Sequence, residues 1–410
     1  MTSFIPYDVL QEIFKNKADN VSFLFSSLLV NKCWCENAVL ILIINTFMNC
    51  IKDEEILTDE LKQISFFNYF KYIRHLHCAN FFESVQQWCK KYKTLNTKTY
   101  VDVLELLFTQ FTIYSPRLLT LDLRIVIMFD NEYLKLENFI LSNPKVSNWI
   151  SQTKELYLEP DLIDDLKFFK IFDFCINVSK IECSLSREQF KCHELYKKRI
   201  IKFLSLQSNL EHLCFYRSDI TTNINETLMK HRNSLRHLEF DDVDFKDNFF
   251  VPSFYNLKTL SFYVSSNLEN VLIPLIHTPL KSLNTLIFSG NSIRFEILSE
   301  LIESINRNLE VIDYHEFSYQ LQDGFEVILK KLSNHCLNLK ELSITISLIG
   351  SKEISLLNCL LTKCTQLKYL ELLDDDRKEI KINSILLLLV VSPTSELKIN
   401  GKKINNIISK

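Results

Sequence analysis

Glycine is what this chain most conspicuously lacks: 4 residues in 410, at Gly290, Gly324, Gly350 and Gly401. Loops that cradle phosphate need several closely spaced glycines so that backbone N–H groups can approach the ligand. No two glycines here lie within one motif's reach, so Walker-type loops, dinucleotide fingerprints and a Gly-x-Ser-x-Gly elbow are absent. The most easily recognised enzyme classes go with them, and no catalytic residue or cofactor is expected. An excess of positive charge is missing too. A net charge of -3 gives no general pull toward nucleic acid or an anionic membrane. The longest apolar runs, 38–44 and 385–391, fall far short of the roughly 20 residues that span a bilayer. The start, Met1 to Asp8, carries no basic n-region and no long apolar core. The expectation is an intracellular protein, cytoplasmic or nuclear or both, with no membrane contact. Cys-x-x-Cys is absent among the 12 cysteines, so the reading is buried reduced thiols acting as small hydrophobes, with no metal.

What the chain does have is a repeated pattern, Leu-x-x-Leu-x-Leu, clearest at Leu367/Leu370/Leu372. Variants of it begin at Leu210, Leu235, Leu257, Leu283, Leu309 and Leu339, with a faint last copy at Leu397. Between copies the residues take helical spacing: Phe295, Leu298, Leu301, Ile302 and Ile305 form one face, and Phe325, Ile328, Leu329 and Leu332 another. A short strand and a return helix, repeated every 22 to 30 residues, resembles the leucine-rich repeats. That resemblance implies an α/β solenoid with a parallel sheet on the inside and helices on the outside. Strands pack about 4.8 Å apart and helices about 10 Å apart, so the sheet side must be the concave one. Cys336 and Cys364 stand three residues before the first Leu of a copy, a turn where these repeats often place a small Cys.

Upstream the copies thin out. Ile73-x-x-Leu76-x-Cys78 and Leu118-x-x-Leu121-x-Leu123 are 45 residues apart, with helix suggested between them by Val103, Leu106, Leu107 and Phe111. Leu156-x-Leu158 and Val178-x-x-Ile181-x-Cys183 lead into the regular region. The first 45 residues read instead as three short helices. Val9, Leu10, Ile13 and Phe14 share a face after Pro6; Asn20 can cap a second helix carrying Leu24 and Leu28; and Trp34, Ala38 and Ile41 mark a third.

Ile5-Pro6, the paired aliphatics, and Val30 four residues before Trp34 resemble an F-box. The chain departs from that pattern in having Ile before Pro6 and no Leu-Asp-Pro before Val21. The resemblance implies docking on a small SKP-type adaptor, and through it on the cullin and RING subunits of a ubiquitin ligase. Ile5, Pro6, Val9, Leu10, Ile13, Phe14, Leu28 and Val30 would be divided between that interface and the domain's own core, with Trp34 assigned to the core. The expected organisation is an F-box-like domain over 1–45, a connector with divergent repeats over 46–150, and the leucine-rich-repeat solenoid over 151–410.

In each copy the leucines face the core, so the residues flanking the second Leu point out of the sheet. This rule gives Tyr216, His237, Glu239, Asp241, Tyr263, Asp313, Glu341, Tyr369 and Glu371 as candidate target-binding residues. It also places Ser184, Cys214, Ser261, Ser343 and Thr345 on that face, with the acids Glu155, Glu159 and Glu182 and a single base, Lys180. An acidic face with tyrosine anchors suits a basic or hydroxyl-rich protein segment. His212, His237 and His315 lie on the same face without ligand spacing and read as solvated, as do His75 and His77 upstream. The basic stretch 197–202 reads as the solvent face of a return helix. The expected function is the non-catalytic substrate-recognition subunit of an SCF-type cullin-RING ubiquitin ligase, its substrate an unidentified protein. The alternative is a leucine-rich-repeat scaffold or inhibitor unconnected to ubiquitin.

Overall fold

The computed structural model describes residues 73–91, 97–115, 117–124, 138–158, 173–185, 193–220, 224–246, 254–278, 280–291, 293–305, 308–315, 325–346, 351–374, 396–399 and 402–403. The F-box-like stretch, with Ile5, Pro6, Val9, Leu10, Ile13, Phe14, Leu28 and Val30, lies outside the described residues. The chain forms two compact units, Met1–Ser179 and Lys180–Lys410.

In the first unit, β1 (His75–His77), β2 (Thr120–Asp122) and β3 (Glu155–Leu158) pair in parallel, Leu76 beside Leu121 and Leu121 beside Leu156. The long gap between β1 and β2 holds two helices, α1 (Cys78–Lys91) and α2 (Thr97–Tyr114). Their inner faces meet in a ring cluster of Phe81, Phe108 and Phe111, with Phe111 stacked on Trp149 of α3 (Pro144–Ser151) at 5.6 Å. The start of α3 is set locally. Asn143 accepts hydrogen bonds from the Lys145 and Val146 N–H groups, and Pro144 stands where its missing N–H is harmless.

The second unit is a parallel ladder: β4 (Lys180–Cys183), β5 (His212–Ile220), β6 (His237–Phe245), β7 (Thr259–Tyr263), β8 (Thr285–Ser289), β9 (Val311–His315), β10 (Glu341–Ile346), β11 (Tyr369–Asp374) and β12 (Glu396–Ile399). A short β13 (Lys402–Lys403) closes it antiparallel to β12. Helices α4 (His193–Leu206), α5 (Asn225–Lys230), α6 (Glu269–His277), α7 (Phe295–Ile305), α8 (Phe325–His335) and α9 (Ser351–Lys363) fall between strands. The alternation is consistent with a curved repeat solenoid. The contact of Phe295 on α7 with Tyr314 on β9 puts a helix on the face that carries the repeat's apolar residues. No helix among the described residues is long and apolar enough to cross a membrane.

The register makes one correction. Leu397 pairs with Leu370, so it fills the second position of its copy and not the first. The last repeat is then 27 residues long (397 minus 370), not 30.

A buried leucine stands two residues before each of β5 to β11, and the inward positions alternate from there: Leu210, Leu213 and Phe215, then Leu235, Leu238 and Phe240, and so on through Leu367, Leu370 and Leu372. Cys336 and Cys364 are buried at the turn before the strand, and the Cys364 thiol donates to the Cys336 carbonyl at 3.2 Å. Cys175, three residues before Val178, holds the same place in the first unit and faces the Ile150 carbonyl at 3.9 Å. Burial pushes the Cys175 and Cys336 thiols up to about 12, so both stay protonated and inert.

Beyond the inward positions, β5 to β8 share a device that the leucine pattern does not announce. Arg217, Asp242, Val264 and Gly290 occupy equivalent places, and all four have left-handed backbone, with φ of 46°, 54°, 46° and 72°. Only the last is glycine. At three of the four places the kink is held by a polar side chain one residue further on: Ser218, Ser265 and Asn291. Asn291 donates to the Phe262 and Ser289 carbonyls at 2.7 and 3.1 Å and accepts from the Ser265 N–H at 2.6 Å. Ser265 in turn donates to Tyr263 and accepts from the Val243 N–H, and Ser218 donates to Tyr216 and accepts from Leu185.

A left-handed L-residue costs roughly 1–2 kcal/mol, most for a β-branched one. Val264→Gly is therefore expected to raise the free energy of unfolding by about 1 kcal/mol in urea titration. Asn291→Ala strands a buried N–H and two carbonyls and should lower it by about 1–3 kcal/mol. An Asn291→Ala chain as stable as the parent would show that the kink holds itself.

Candidate recognition surface

The ladder fixes which outward residues become neighbours. Along one rung His212, His237, Thr259, Thr285, Val311, Glu341 and Tyr369 stand side by side. Two residues further along the strands the row runs Glu182, Cys214, Glu239, Ser261, Ile287, Asp313, Ser343 and Glu371. A third row carries Tyr216, Asp241, Tyr263, Ser289 and His315.

Of the candidates, Asp241 and Glu341 are exposed, while Tyr216, His237, Glu239, Tyr263, Asp313, Tyr369 and Glu371 are half-buried. The smaller outward residues behave differently from expectation. Ser184, Cys214, Ser261, Ser343 and Thr345 are buried. Strands 4.8 Å apart let long side chains close over short ones between them, so an outward Cβ does not guarantee access to solvent. A second correction falls on α4. Lys197 is only 5% exposed while Leu195 is exposed, so the basic stretch is not simply its solvent face.

The candidates separate into two groups. Around β4 to β7, Lys180 forms an ion pair with Glu182 at 2.8 Å, and the Cys214 thiol donates to Glu239. Burial raises the Glu239 carboxyl, and the charge of Glu182 raises it further. Burial and Asp242 raise Asp241 in the same way. These acids crowd one another, with Lys180 beside Glu182 and the Arg217 charge offsetting part of the rise at Asp241. Beside them the His212 and His237 rings stack at 5.4 Å, 25° from parallel. Burial, with the charges of Lys180 and His237, pushes His212 down to about 4.

Around β9 to β11, Tyr369 donates to Glu371 at 2.7 Å and Ser343 donates to the same oxygen at 3.2 Å. The Ser343 hydroxyl also meets the His315 Nε2 at 3.3 Å. That nitrogen faces the Asp313 Oδ1 at 2.5 Å, without the alignment of a hydrogen bond, while the His315 Nδ1 is buried with no hydrogen-bond partner. Serine, histidine and aspartate thus adjoin, but not as a relay. A nucleophilic triad needs the hydroxyl and the carboxylate on opposite ring nitrogens, and here both address the same one.

The first unit carries a polar group whose partners the sequence does not announce, although the outward rule extends to it. Asp122, flanking Leu121, is buried and accepts from Arg124 through both oxygens, at 3.1 and 2.8 Å. It also meets the His77 Nδ1 at 2.9 Å. Burial alone would raise this carboxyl; the bonds from His77 and Arg124, with the Arg124 charge, overcome it and bring the group down to about 2. The guanidinium then lies 4.7 Å over the Tyr157 ring. Next to it His75 meets the Thr120 hydroxyl at 2.8 Å, and Thr120 donates to Glu155 at 3.1 Å. His75 and His77 are therefore built into a network and are not merely solvated. Among the described residues no three His, Cys, Asp or Glu side chains gather as metal ligands would.

No family model matches the sequence, and no curated protein matches it. Among solved structures the chain is similar to a Bacteroides fragilis protein at 13% identity, over 70% of this chain and 74% of that one, with a TM-score of 0.41.

A histidine whose pKa falls on folding weakens the fold as pH drops, because the unfolded chain then binds the proton more tightly. His212 should cost stability as pH falls below about 6.5 toward its folded value of about 4. The raised carboxyls of Glu239 and Asp241 act in the opposite sense as they protonate. Thermal midpoints of wild type and His212→Gln across that window should separate the two. The variant should lose less on acidification, and parallel curves would refute the assignment to His212.

Proposed function

We propose that the chain is a non-catalytic receptor that holds a protein target on the outward face of its parallel sheet and presents it to a ubiquitin ligase. The observation that carries the binding half is the register. It sets tyrosines and carboxylates (Tyr216, Glu239, Asp241, Tyr263, Asp313, Glu341, Tyr369 and Glu371) on one face of the sheet, on β5 to β7 and β9 to β11, turned away from the leucine core. Tyrosine combines a large rigid contact area with a polar tip, and carboxylates fix orientation and exclude wrong partners. The ligase half is supported by sequence alone. Ile5, Pro6, Val9, Leu10, Ile13, Phe14, Leu28 and Val30 resemble the F-box surface that meets an SKP-type adaptor, which would bring the cullin and RING subunits. Such a receptor works in the cytoplasm or the nucleus and needs neither cofactor nor metal. The same sheet face without the adaptor would make the chain a scaffold or an inhibitor.

Affinity capture with a recombinant SKP-type adaptor separates the two. Wild type should be retained, and a chain carrying Pro6→Ala with Leu10→Asp should be lost by at least about tenfold, the equivalent of 1.4 kcal/mol. No retention of the wild type removes the ligase and leaves the scaffold.

A further inference from the structure

The three outward rows hide a diagonal. Tyr263 on β7, Ile287 on β8 and Val311 on β9 each sit one row back from the one before, because Tyr263 pairs with Ser289, Ile287 with Ser261 and Asp313, and Val311 with Thr285. All three are half-buried, so each shows part of its side chain on a face that elsewhere carries hydroxyls and charges. With strands about 4.8 Å apart and about 6.6 Å between alternate residues, each diagonal step is about 8 Å and the stripe about 16 Å long.

Carboxylates border the stripe on both sides. Glu239 and Asp241 on β6 lie on one side, and Asp313 on β9 with Glu341 on β10 on the other. The neighbours between them are hydroxyls, Ser261 and Thr285 on the first side and Ser289 on the second. The Tyr263 phenol registers both borders: burial raises its pKa, and the charges of Glu239 and Asp313 each raise it further.

We infer that this stripe receives an amphipathic α-helix whose apolar face is flanked on both sides by lysine or arginine. The inference deepens the proposed reading of the sheet face as the target-binding surface, and rests on it. An extended segment fits the charge pattern poorly. Its side chains alternate between opposite sides, so apolar residues turned to the sheet would carry the bases away from it. A helix turns one apolar strip down and spreads its neighbours to left and right. Three turns at 1.5 Å per residue cover about 16 Å, so apolar residues at i, i+4, i+7 and i+11 match the length of the stripe. Bases flanking that strip then reach Glu239 and Asp241 on one side and Asp313 and Glu341 on the other. Nucleic acid fails on the same ground, since its phosphates would meet carboxylates along both borders.

The test uses the full chain and a fluorescent synthetic helix of about four turns made of leucine and lysine, with the leucines on one face. Two controls share its length: a permuted peptide of the same composition with no apolar face, and a version with glutamate for lysine. Anisotropy should show the lysine helix binding at least about tenfold more tightly than either control, a difference of about 1.4 kcal/mol. Ile287→Arg and Asp313→Lys should each weaken it about tenfold, while Asp102→Lys, on α2 in the first unit, should leave it unchanged. Glu341→Lys, at an exposed position, serves as a second border variant if Asp313→Lys lowers the thermal midpoint. No binding, equal binding of the permuted peptide, or indifference to every substitution on the face would overturn the inference. Adaptor capture involves none of these residues, so the ligase reading can stand when this one falls.

Discussion

The second unit depends on a column of rings. Phe215, Phe240, Phe262 and Phe288 occupy the same inward position on four successive strands and stack at 5.9, 5.4 and 5.3 Å, within 19° of parallel. Tyr314 continues the column edge-on at 6.5 Å. Strand spacing is close to the distance at which offset rings pack, so backbone pairing and ring packing favour the same register. A slip of one residue would turn every ring to solvent. Because that slip is so unfavourable, the outward rows are fixed as firmly as the inward ones, and a surface of scattered sequence positions becomes an ordered array.

The inward half of this array was plain in the sequence, since an apolar residue at a fixed interval has one strong reason to be there. Leu210, Leu235, Leu257, Leu283, Leu309, Leu339 and Leu367 all stand where the spacing put them. Polar positions have several competing reasons, and there the reading was less complete. Ser265 and Asn291 hold left-handed kinks, a role visible only once their neighbours' φ angles are known. Leu397 was misplaced because only pairing with Leu370 reveals its register. Cys214, Ser261 and Ser343 point outward as the period requires, yet are buried between adjoining strands that a single chain segment does not bring together. In the first unit Asp122 and Arg124 are neighbours in sequence, but His77 is 45 residues away and joins them only across β1 and β2.

Electrostatics on the outward face differs between the two units for a simple reason of pairing. In the first, the buried Asp122 carboxylate meets a bidentate guanidinium and an imidazole, so its charge is satisfied from within and its pKa falls. In the second, burial raises the pKa values of Glu239 and Asp241 and neighbouring carboxylates raise them further, with Lys180 paired to Glu182 and Arg217 only partly offsetting Asp241. The first arrangement is a finished structural network. The second is only partly balanced from within, by the Cys214 thiol at Glu239 and the Arg217 charge at Asp241.

The scarcity of glycine connects these features. The kink shared by β5 to β8, inside β5 and β6 and just past the ends of β7 and β8, calls for left-handed backbone, which Gly290 meets without steric conflict and Asp242 at small cost, while Arg217 and Val264 take it against their own preference. The ladder adds to the side-chain bonds that hold them: the Val264 N–H donates to the Ser289 carbonyl, and the Gly290 N–H to that of His315. The Arg217 carbonyl accepts from Ser184. Side chains that glycine would not possess are thereby set beside the third outward row, next to Tyr216, Asp241 and Tyr263. The missing glycines that argue against a phosphate loop thus also place Arg217, Asp242 and an exposed Val264 at the edge of the face. Strain tolerated at Arg217 and Val264, where glycine would serve the fold better, sets their side chains on the rim beside that row.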